Sequence, residues 1–274
     1  MAINATTKVF AVIGDPVGHS LSPRMHNAAF AAVGFDGVYV ALHVLPSDLP
    51  AAMAGVRATG IAGLNVTIPH KVAVIPLLDE LDKSAKTVGA VNAIVNVQGK
   101  LFGHNTDVYG VRLSLEKMAG STKGMKVVLL GAGGAGRAVV QAFDASNELV
   151  ILNRSVANAK KLAGIAGENK AVAMELNEKN LLEALKDADL VVNATPLGLH
   201  GENPVPAAAL RPDLMVFDLT YQENGPTPLV AAARKAGAKA IDGKELLLYQ
   251  GARTFELFTG KSAPIEVMRR AIEE

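Results

Sequence analysis

The chain contains no cysteine, so it forms no disulfide bond and uses no thiolate in catalysis or metal binding. It also lacks an excess of charge of either sign. There are 27 lysines and arginines against 26 aspartates and glutamates, which gives a formal net charge of +1. A nucleic-acid surface needs clustered basic residues, so this balance argues against nucleic acid as a partner.

Long hydrophobic runs are missing as well. No apolar stretch approaches the length of a membrane span. The N-terminal sequence MAINATTKVFAVIGDP has no basic segment ahead of a long apolar run, which a signal peptide would have. Half of the 274 residues are nevertheless hydrophobic, which suffices for a sizeable core in two domains or one large one. We therefore expect a soluble, globular protein, and the lack of cysteine agrees with a cytoplasmic location.

A glycine-rich turn stands between a predicted strand and a predicted helix near the middle of the chain. After the apolar run 126–130, Gly131, Gly133 and Gly136 follow with the spacing G-x-G-x-x-G. Gly131 allows the tight turn, Gly133 lets the backbone approach a pyrophosphate, and Gly136 lets the helix pack closely on the sheet. The spacing in this context predicts a dinucleotide site, with a purely structural glycine turn as the alternative. Its predicted members are Gly131, Ala132, Gly133, Gly134, Ala135 and Gly136.

The end of the next strand indicates which dinucleotide binds. An NAD site usually places an acidic residue there to hold the ribose 2′-hydroxyl, whereas this chain has Asn153, Arg154 and Ser155. A guanidinium can bind a 2′-phosphate through two charge-assisted hydrogen bonds, and a carboxylate would repel it. The pattern favours NADP(H); a solvated arginine at a strand end is the alternative.

Strands and helices alternate strictly after a linker at 120–124. Predicted strands lie near 126–130, 148–152, 171–174, 189–193, 214–219 and 238–241, with helical stretches between most of them. This alternation predicts a parallel sheet covered on both faces. The front part is also α/β, with a helix predicted over 70–81 and a hairpin over 91–104, and two C-terminal helices should pack back on it.

Candidate catalytic residues cluster in three loops that follow predicted strands. A nicotinamide supplies hydride, so the protein must supply orientation and a proton for the carbonyl oxygen. Lys71 falls at the start of a predicted helix, where a cation opposes the helix dipole, and this favours a functional role. Asp107 and Ser22 each have a structural explanation too, because an acidic residue stabilises a helix N-terminus and a serine before Pro23 caps a helix.

The loop motifs together resemble those of the shikimate dehydrogenase family. They recur in the family's order from about Val9 to Gln250, and the ordered set is far more specific than any one piece. The motifs are Ser20-Leu-Ser-Pro23, Asn65-Val-Thr-Ile-Pro-His-Lys71, Gly89-Ala-Val-Asn92, Asn105-Thr-Asp107, Gly131-Ala-Gly-Gly-Ala-Gly136, Asn153-Arg154, Asn193-Ala-Thr-Pro196 and Tyr249-Gln250.

The resemblance implies NADPH-dependent, reversible reduction of 3-dehydroshikimate to shikimate in aromatic amino acid biosynthesis. It implies that Lys71 donates the proton, assisted by Asp107. The implied substrate contacts are Ser20, Ser22, Asn65, Thr67, Asn92, Asp107, Tyr221 and Gln250. The implied cofactor contacts add Asn153, Arg154, Ser155, Thr195, Leu219 and Gly243 to the glycine loop.

The implied architecture is an N-terminal α/β substrate domain and a Rossmann-type, doubly wound parallel-sheet NADP domain. We place the first at 1–107 plus 243–274 and the second at 108–242. Domain closure could bring hydride and carbonyl together. The implied partner is the small-molecule substrate, with no nucleic acid and no membrane, and the protein is expected to be a monomer or homodimer. The histidines lack metal-ligand spacing, so we expect no metal site.

Some positions depart from the family pattern. Ala93 stands where a threonine often follows the asparagine, Ser155 replaces a more usual threonine, and the 221–228 loop lacks a common proline. The nearest alternative is a quinate/shikimate dehydrogenase with NAD or NADP. Those enzymes often have threonine at the position of Ser22, so this serine favours shikimate. A non-catalytic NADP-sensing module is a second alternative, but it predicts loss of the Lys71–Asp107 pair.

Overall fold

The computed structural model describes residues 3–167, 170–199 and 201–273. The chain folds as two compact units. Unit 1 contains the described residues up to Gly110 and from Leu247 onward, and unit 2 runs from Val111 to Leu246. The chain passes between the units within two helices, α5 (Asp107–Ala119) and α10 (Gly243–Thr259).

Unit 1 is built on a six-stranded mixed sheet in the order β2-β1-β3-β5-β6-β4. Strands β2, β1 and β3 are parallel, while β5 is antiparallel to both β3 and β6. The strands are β1 (Lys8–Gly14), β2 (Gly37–His43), β3 (Gly63–Val66), β4 (Glu80–Leu81), β5 (Ala93–Val97) and β6 (Lys100–His104). The helices are α1 (Ser22–Ala32), α2 (Leu49–Thr59), α3 (His70–Ala73), α4 (Lys83–Val88) and α11 (Ile265–Glu273), with 3₁₀ turns at Pro46–Asp48 and Ile75–Leu77.

The sheet of unit 1 is covered on both faces. One face packs on an aliphatic core that includes Leu49, Met53 and Leu64. An aromatic cluster contains Phe10, whose ring lies 5.3 Å from Phe30. Helix α11 packs on α1, so the C-terminal helix returns to the front part of the chain as predicted.

The predicted helix over 70–81 is wrong. Only one turn forms, α3, before a 3₁₀ turn and the short strand β4. Pro76 has no backbone N–H to continue a helix and disfavours helical geometry before it, and Leu78 is extended with φ −101° and ψ 154°. The backbone N–H of Asp79 then donates to the Leu101 carbonyl, so the chain joins the sheet. Helix α4, capped by Asp82, was not predicted.

Unit 2 is a six-stranded, fully parallel sheet in the order β12-β11-β10-β7-β8-β9. Its strands are β7 (Lys126–Leu130), β8 (Glu148–Asn153), β9 (Lys170–Glu175), β10 (Leu190–Asn193), β11 (Met215–Asp218) and β12 (Ala240–Ile241). The helices are α6 (Gly134–Ala142), α7 (Val156–Gly164), α8 (Glu178–Leu185) and α9 (Pro228–Lys235), with a 3₁₀ turn at Ala207–Ala209. Apolar cores lie against it, one containing Val127 and Leu129 and the other Val128 and Leu130.

Alternate residues of β7 thus enter different cores, which is the pattern of a sheet covered on both faces. The strand order reverses direction between β7 and β10, the switch point where doubly wound sheets bind ligands. The predicted two-domain α/β fold with a Rossmann-type sheet is confirmed. No helix of the described residues combines the length and apolar character needed to span a membrane.

Candidate active site

Sheet register brings three chain segments of unit 1 to one edge. Asn65 pairs with Ala93 across β3 and β5, and Ala93 pairs with His104 across β5 and β6. Because β5 runs antiparallel to its neighbours, its first residue lies beside the carboxyl ends of β3 and β6. Asn92 precedes β5 and Asp107 begins α5 soon after β6, so their side chains reach the same edge as Asn65.

Lys71 and Asp107 form an ion pair at this edge. Nζ of Lys71 donates to Oδ2 of Asp107 over 2.6 Å, and the two side chains are 15% and 5% exposed. Helix α3 is a single turn, so its dipole is weak and does not by itself indicate a functional role for Lys71. The position of Lys71 is instead held by its carbonyl oxygen, which accepts a 2.7 Å bond from the Val91 N–H.

Asn92 joins the ion pair to the rest of the network. Its Nδ2 carries two hydrogens and lies within hydrogen-bond distance of three acceptors: Oδ1 of Asp107 at 2.8 Å, Oγ1 of Thr106 at 2.8 Å and Oε1 of Gln250 at 3.1 Å. Its Oδ1 accepts from the Thr106 backbone N–H at 2.7 Å. The backbone N–H of Thr106 requires the amide oxygen and the Asp107 carboxylate requires the amide nitrogen, so both define the same orientation of the Asn92 amide.

Gln250 enters the network from the C-terminal part of unit 1. Its Nε2 donates to the Leu247 carbonyl at 2.9 Å, which leaves a second N–H for a ligand. Thr254, one turn later on α10, lies 3.0 Å from the hydroxyl of Thr106. Thr106 and Thr254 were not predicted to belong to this network. For Thr254, the spacing of four residues after Gln250 on one helix was the available signal.

The remaining predicted substrate residues make separate contacts. The Ser20 hydroxyl accepts from the Ser22 N–H at 3.3 Å, and Ser22 is buried. Ser22 does not cap α1 as predicted: the N-cap position is Leu21, so capping no longer explains this serine. The Thr67 N–H donates to the Ile13 carbonyl beside the end of β1. Tyr221 is half-buried in unit 2, in the loop after β11.

His26 is buried in the core of unit 1. Its ring stacks on Tyr39 at 4.4 Å with a 6° interplanar angle. Both ring nitrogens are buried without a hydrogen-bond partner in the described structure. Burial lowers the pKa of His26 to about 3, so the ring is neutral at ordinary pH.

The glycine loop of unit 2 has the geometry that its spacing predicts. Gly131 has φ +101°, and a Cβ there would lie 2.9 Å from the Ala194 carbonyl oxygen. A Cβ on Gly136 would lie 2.6 Å from the Gly131 oxygen, so the helix packs too closely for any other residue. Gly133 is the N-cap of α6 and faces open space, as a backbone that admits an anion requires. Ala132, Gly134 and Ala135 complete the loop and the first turn.

Asn153 is the last residue of β8, and Arg154 and Ser155 follow it. Ser155 caps α7 by accepting from the Asn158 N–H, and Asn153 donates to the Ser155 carbonyl, so both have local structural roles. Arg154 is exposed, and within the described ranges its guanidinium makes no hydrogen bond or ion pair. The arginine is therefore available to an anionic ligand.

Thr195, Leu219 and Gly243 follow three further strands of the same parallel sheet, so they lie at its carboxyl edge. Oγ1 of Thr195 donates to Oδ1 of Asn193 at 2.6 Å, and the Leu219 N–H donates to the Asn193 carbonyl. A Cβ on Gly243 would lie 2.2 Å from the Leu219 oxygen, so this close approach requires glycine.

Asp218 organises the loops at this edge. Its carboxylate accepts from Asn193 at 2.9 Å, from the Thr220 hydroxyl at 2.8 Å and from the Thr227 hydroxyl at 2.7 Å. Burial raises the pKa of Asp218, while those hydrogen bonds favour its charged form. Among the described residues no group of three or more histidines, aspartates or glutamates could hold a metal ion.

Three family models match the chain along most of its length. The shikimate dehydrogenase substrate binding domain matches residues 12–94, shikimate / quinate 5-dehydrogenase matches 113–219, and the shikimate 5'-dehydrogenase C-terminal domain matches 243–273. The chain belongs to the shikimate dehydrogenase family. The predicted family is thus confirmed, and both units of the fold contain matched segments.

Individual shikimate dehydrogenases are similar over nearly the whole chain. The shikimate dehydrogenase (NADP(+)) of Methanocaldococcus jannaschii is 45% identical over 276 residues, 98% of each chain. The crystal structure of the Thermus thermophilus shikimate 5-dehydrogenase in complex with NADP(H) and shikimate has a TM-score of 0.84 and 37% identity, covering 97% of this chain and 98% of that one. Quinate dehydrogenase from Corynebacterium glutamicum in complex with NAD also has a TM-score of 0.84, with 31% identity over the same shares.

Proposed function

We propose that this chain is an NADP-dependent shikimate dehydrogenase, which reduces 3-dehydroshikimate to shikimate reversibly. The observation that carries the proposal is the partly buried Lys71–Asp107 ion pair, set among amides and hydroxyls that suit a polyhydroxylated acid. A site built to bind hydroxyl groups discriminates strongly against analogues that lack them. Relatives named for this activity match nearly the entire chain, which supports the same assignment.

The residues of unit 2 fit NADP. Gly131 and Gly133 leave room at the start of α6 for a pyrophosphate, and Arg154 is available for a 2′-phosphate. When bound, NADPH supplies the hydride that adds to the carbonyl carbon of the substrate. Thr195, Leu219 and Gly243 would line the nicotinamide, and Tyr221 would contact the substrate.

Lys71 is the proton donor in this mechanism. As hydride reaches the carbonyl carbon, negative charge develops on the oxygen, and the Lys71 ammonium stabilises it and transfers one proton to it. The product is an alcohol, and the lysine is left neutral until it regains a proton. Asp107 orients the ammonium through the 2.6 Å bond, and Asn92 holds the other carboxylate oxygen so that the carboxylate does not rotate away.

The other polar residues orient the substrate. Gln250 has a second N–H that none of the described residues accepts, and the amide of Asn65 lies at the same sheet edge, so both can donate to substrate oxygens. Ser20 and Ser22 would bind the substrate carboxylate with their hydroxyls, and Thr67 would add a further contact. We assign substrate binding and catalysis to 1–107 plus 243–274 and NADP binding to 108–242.

An assay with two substrates and two cofactors tests the proposal. Shikimate or quinate is mixed with NADP⁺ or NAD⁺, and the absorbance of the reduced nicotinamide is followed. We expect the highest kcat/KM with shikimate and NADP⁺. A higher kcat/KM with quinate than with shikimate would assign the chain to the quinate branch. If neither substrate produced reduced nicotinamide, the proposal of a dehydrogenase would be refuted.

The same proposal includes the cellular context. We infer a cytoplasmic enzyme in aromatic amino acid biosynthesis, whose partners are its substrate and cofactor. Sedimentation equilibrium distinguishes a monomer from a homodimer, the two states that we expect. Cell fractionation tests the location, and activity recovered with membranes would contradict it.

A further inference from the structure

Asn65 is held by partners that define the orientation of its amide. Its Oδ1 accepts from the Tyr39 hydroxyl at 2.7 Å, and its Nδ2 donates to the Asn92 carbonyl at 3.1 Å. A longer contact of 3.4 Å joins Nδ2 to Oγ1 of Thr254. The second amide N–H is therefore only weakly engaged by the protein.

The Asn92 carbonyl can only accept, so the nitrogen of the Asn65 amide must face it. The amide oxygen then faces Tyr39, whose hydroxyl must donate. Without that hydroxyl the buried oxygen loses its donor, and the amide loses one of the two groups that define which way it points.

Two consecutive residues of α1 hold Tyr39 in place. Asn27 accepts from the Tyr39 N–H and donates to the Tyr39 carbonyl, both at 2.8 Å. It thereby pairs the backbone of β2 at the edge of the sheet. His26 stacks on the phenol ring, nearly parallel to it at 4.4 Å. Ring and backbone are thus both fixed by the helix, so the hydroxyl has little freedom to leave Asn65.

We infer that Tyr39 is a positioning residue for substrate binding: its hydroxyl fixes the Asn65 amide so that an N–H points to an oxygen of the substrate. The substrate class is a polyhydroxylated cyclic acid, and the inference rests on the proposed function. Tyr39 itself is 1% exposed and donates its hydroxyl to Asn65, so it acts through that residue and not on the substrate directly.

A double-mutant cycle tests this role. Tyr39→Phe removes the hydroxyl and keeps the ring, and we expect the KM for shikimate to rise about tenfold, while kcat and the KM for NADP⁺ change less than about twofold. In an Asn65→Ala background the same substitution should have no further effect on kcat/KM, because the group that it positions is gone. Tyr249→Phe is the matched control, since that hydroxyl contacts Arg269 and not Asn65.

The outcomes separate this role from general stabilisation and from the proposed function. An equal loss of kcat/KM in the wild-type and Asn65→Ala backgrounds would overturn the positioning role, as would an unchanged KM in Tyr39→Phe. Thermal unfolding of each variant shows whether a loss of kcat/KM is accompanied by a loss of stability. Titration calorimetry with shikimate gives Kd without turnover. If the wild-type enzyme oxidises shikimate but Tyr39→Phe binds it normally, only the inference about Tyr39 fails; if the wild type neither binds nor oxidises it, the proposed function fails too.

Discussion

Lys71 and Asp107 come from different segments of the chain and meet over 2.6 Å, with the second carboxylate oxygen bonded to Asn92. The ammonium has three N–H donors, and the ion pair uses one of them. The Asp107 carboxylate is therefore fixed in orientation, and the Lys71 ammonium can still donate a hydrogen bond to a ligand. This geometry is what a proton donor to a developing alkoxide needs.

Replacing Lys71 by alanine should lower kcat roughly 10²–10⁴-fold while the Kd of NADPH stays near the wild-type value. The substitution removes the proposed proton donor and lies outside unit 2. Steady-state kinetics and NADPH fluorescence titration measure the two quantities. Lys86→Ala, an exposed lysine on α4, is the control and should retain full activity. An unchanged kcat in Lys71→Ala would rule out Lys71 as the proton donor.

Replacing Arg154 by alanine should raise the KM of NADPH about tenfold or more and leave that of NADH nearly unchanged. Only NADPH carries the 2′-phosphate that the free guanidinium can bind. Initial rates with both cofactors give the ratio of the KM of NADPH to that of NADH. Lys160 is another exposed cation nearby in the chain, and Lys160→Ala should leave this ratio unaltered. Equal losses for the two cofactors would contradict a 2′-phosphate role.

The buried His26 should make stability depend on pH. Its pKa of about 3 in the folded protein lies below the ordinary value of 6.5, so the unfolded chain takes up a proton first as the pH falls. The contribution of this group is therefore complete above pH 6.5 and is lost as the pH falls toward 3, by up to about 1.4 kcal/mol per pH unit. Urea unfolding at several pH values measures the free energy of unfolding.

His26→Phe should reduce that pH dependence, because the new ring is aromatic and cannot be protonated. His19→Gln is the control: His19 is exposed in a loop, and its replacement should keep the wild-type slope. Identical slopes for the wild type and His26→Phe would show that His26 is not the group responsible.

Gly243→Ala should reduce the free energy of unfolding by about 2 kcal/mol and raise the KM of NADPH. The new methyl group would lie 2.2 Å from the Leu219 oxygen and 2.9 Å from the Thr220 oxygen, so the loop after β11 must shift. Denaturant titration and cofactor kinetics measure both effects. Gly55→Ala, in the middle of α2 with open space around it, should instead stabilise by about 0.5–1 kcal/mol. Wild-type behaviour of Gly243→Ala would mean that the close approach is not required.

Local sequence patterns predicted most of the fold. The strands of unit 2 were placed correctly because each is a short apolar run bounded by turn residues, and the glycine loop fits its spacing. The helix over 70–81 was wrong because its apolar residues fit a helical period, whereas Pro76 and the free edge of β6 favour a strand. Ser22 was predicted to be the N-cap of α1, but the N-cap position is Leu21.

The sequence by itself determined the family, the parallel sheet of unit 2 and the identity of the Lys71–Asp107 pair, because these follow from local periodicity and from ordered motifs. Only the tertiary structure decided that Gln250 bonds to Asn92, 158 residues away, and that Tyr39 donates to Asn65. The physical reason is that buried polar groups must find partners, and sheet register and helix packing decide which partners lie within hydrogen-bond distance.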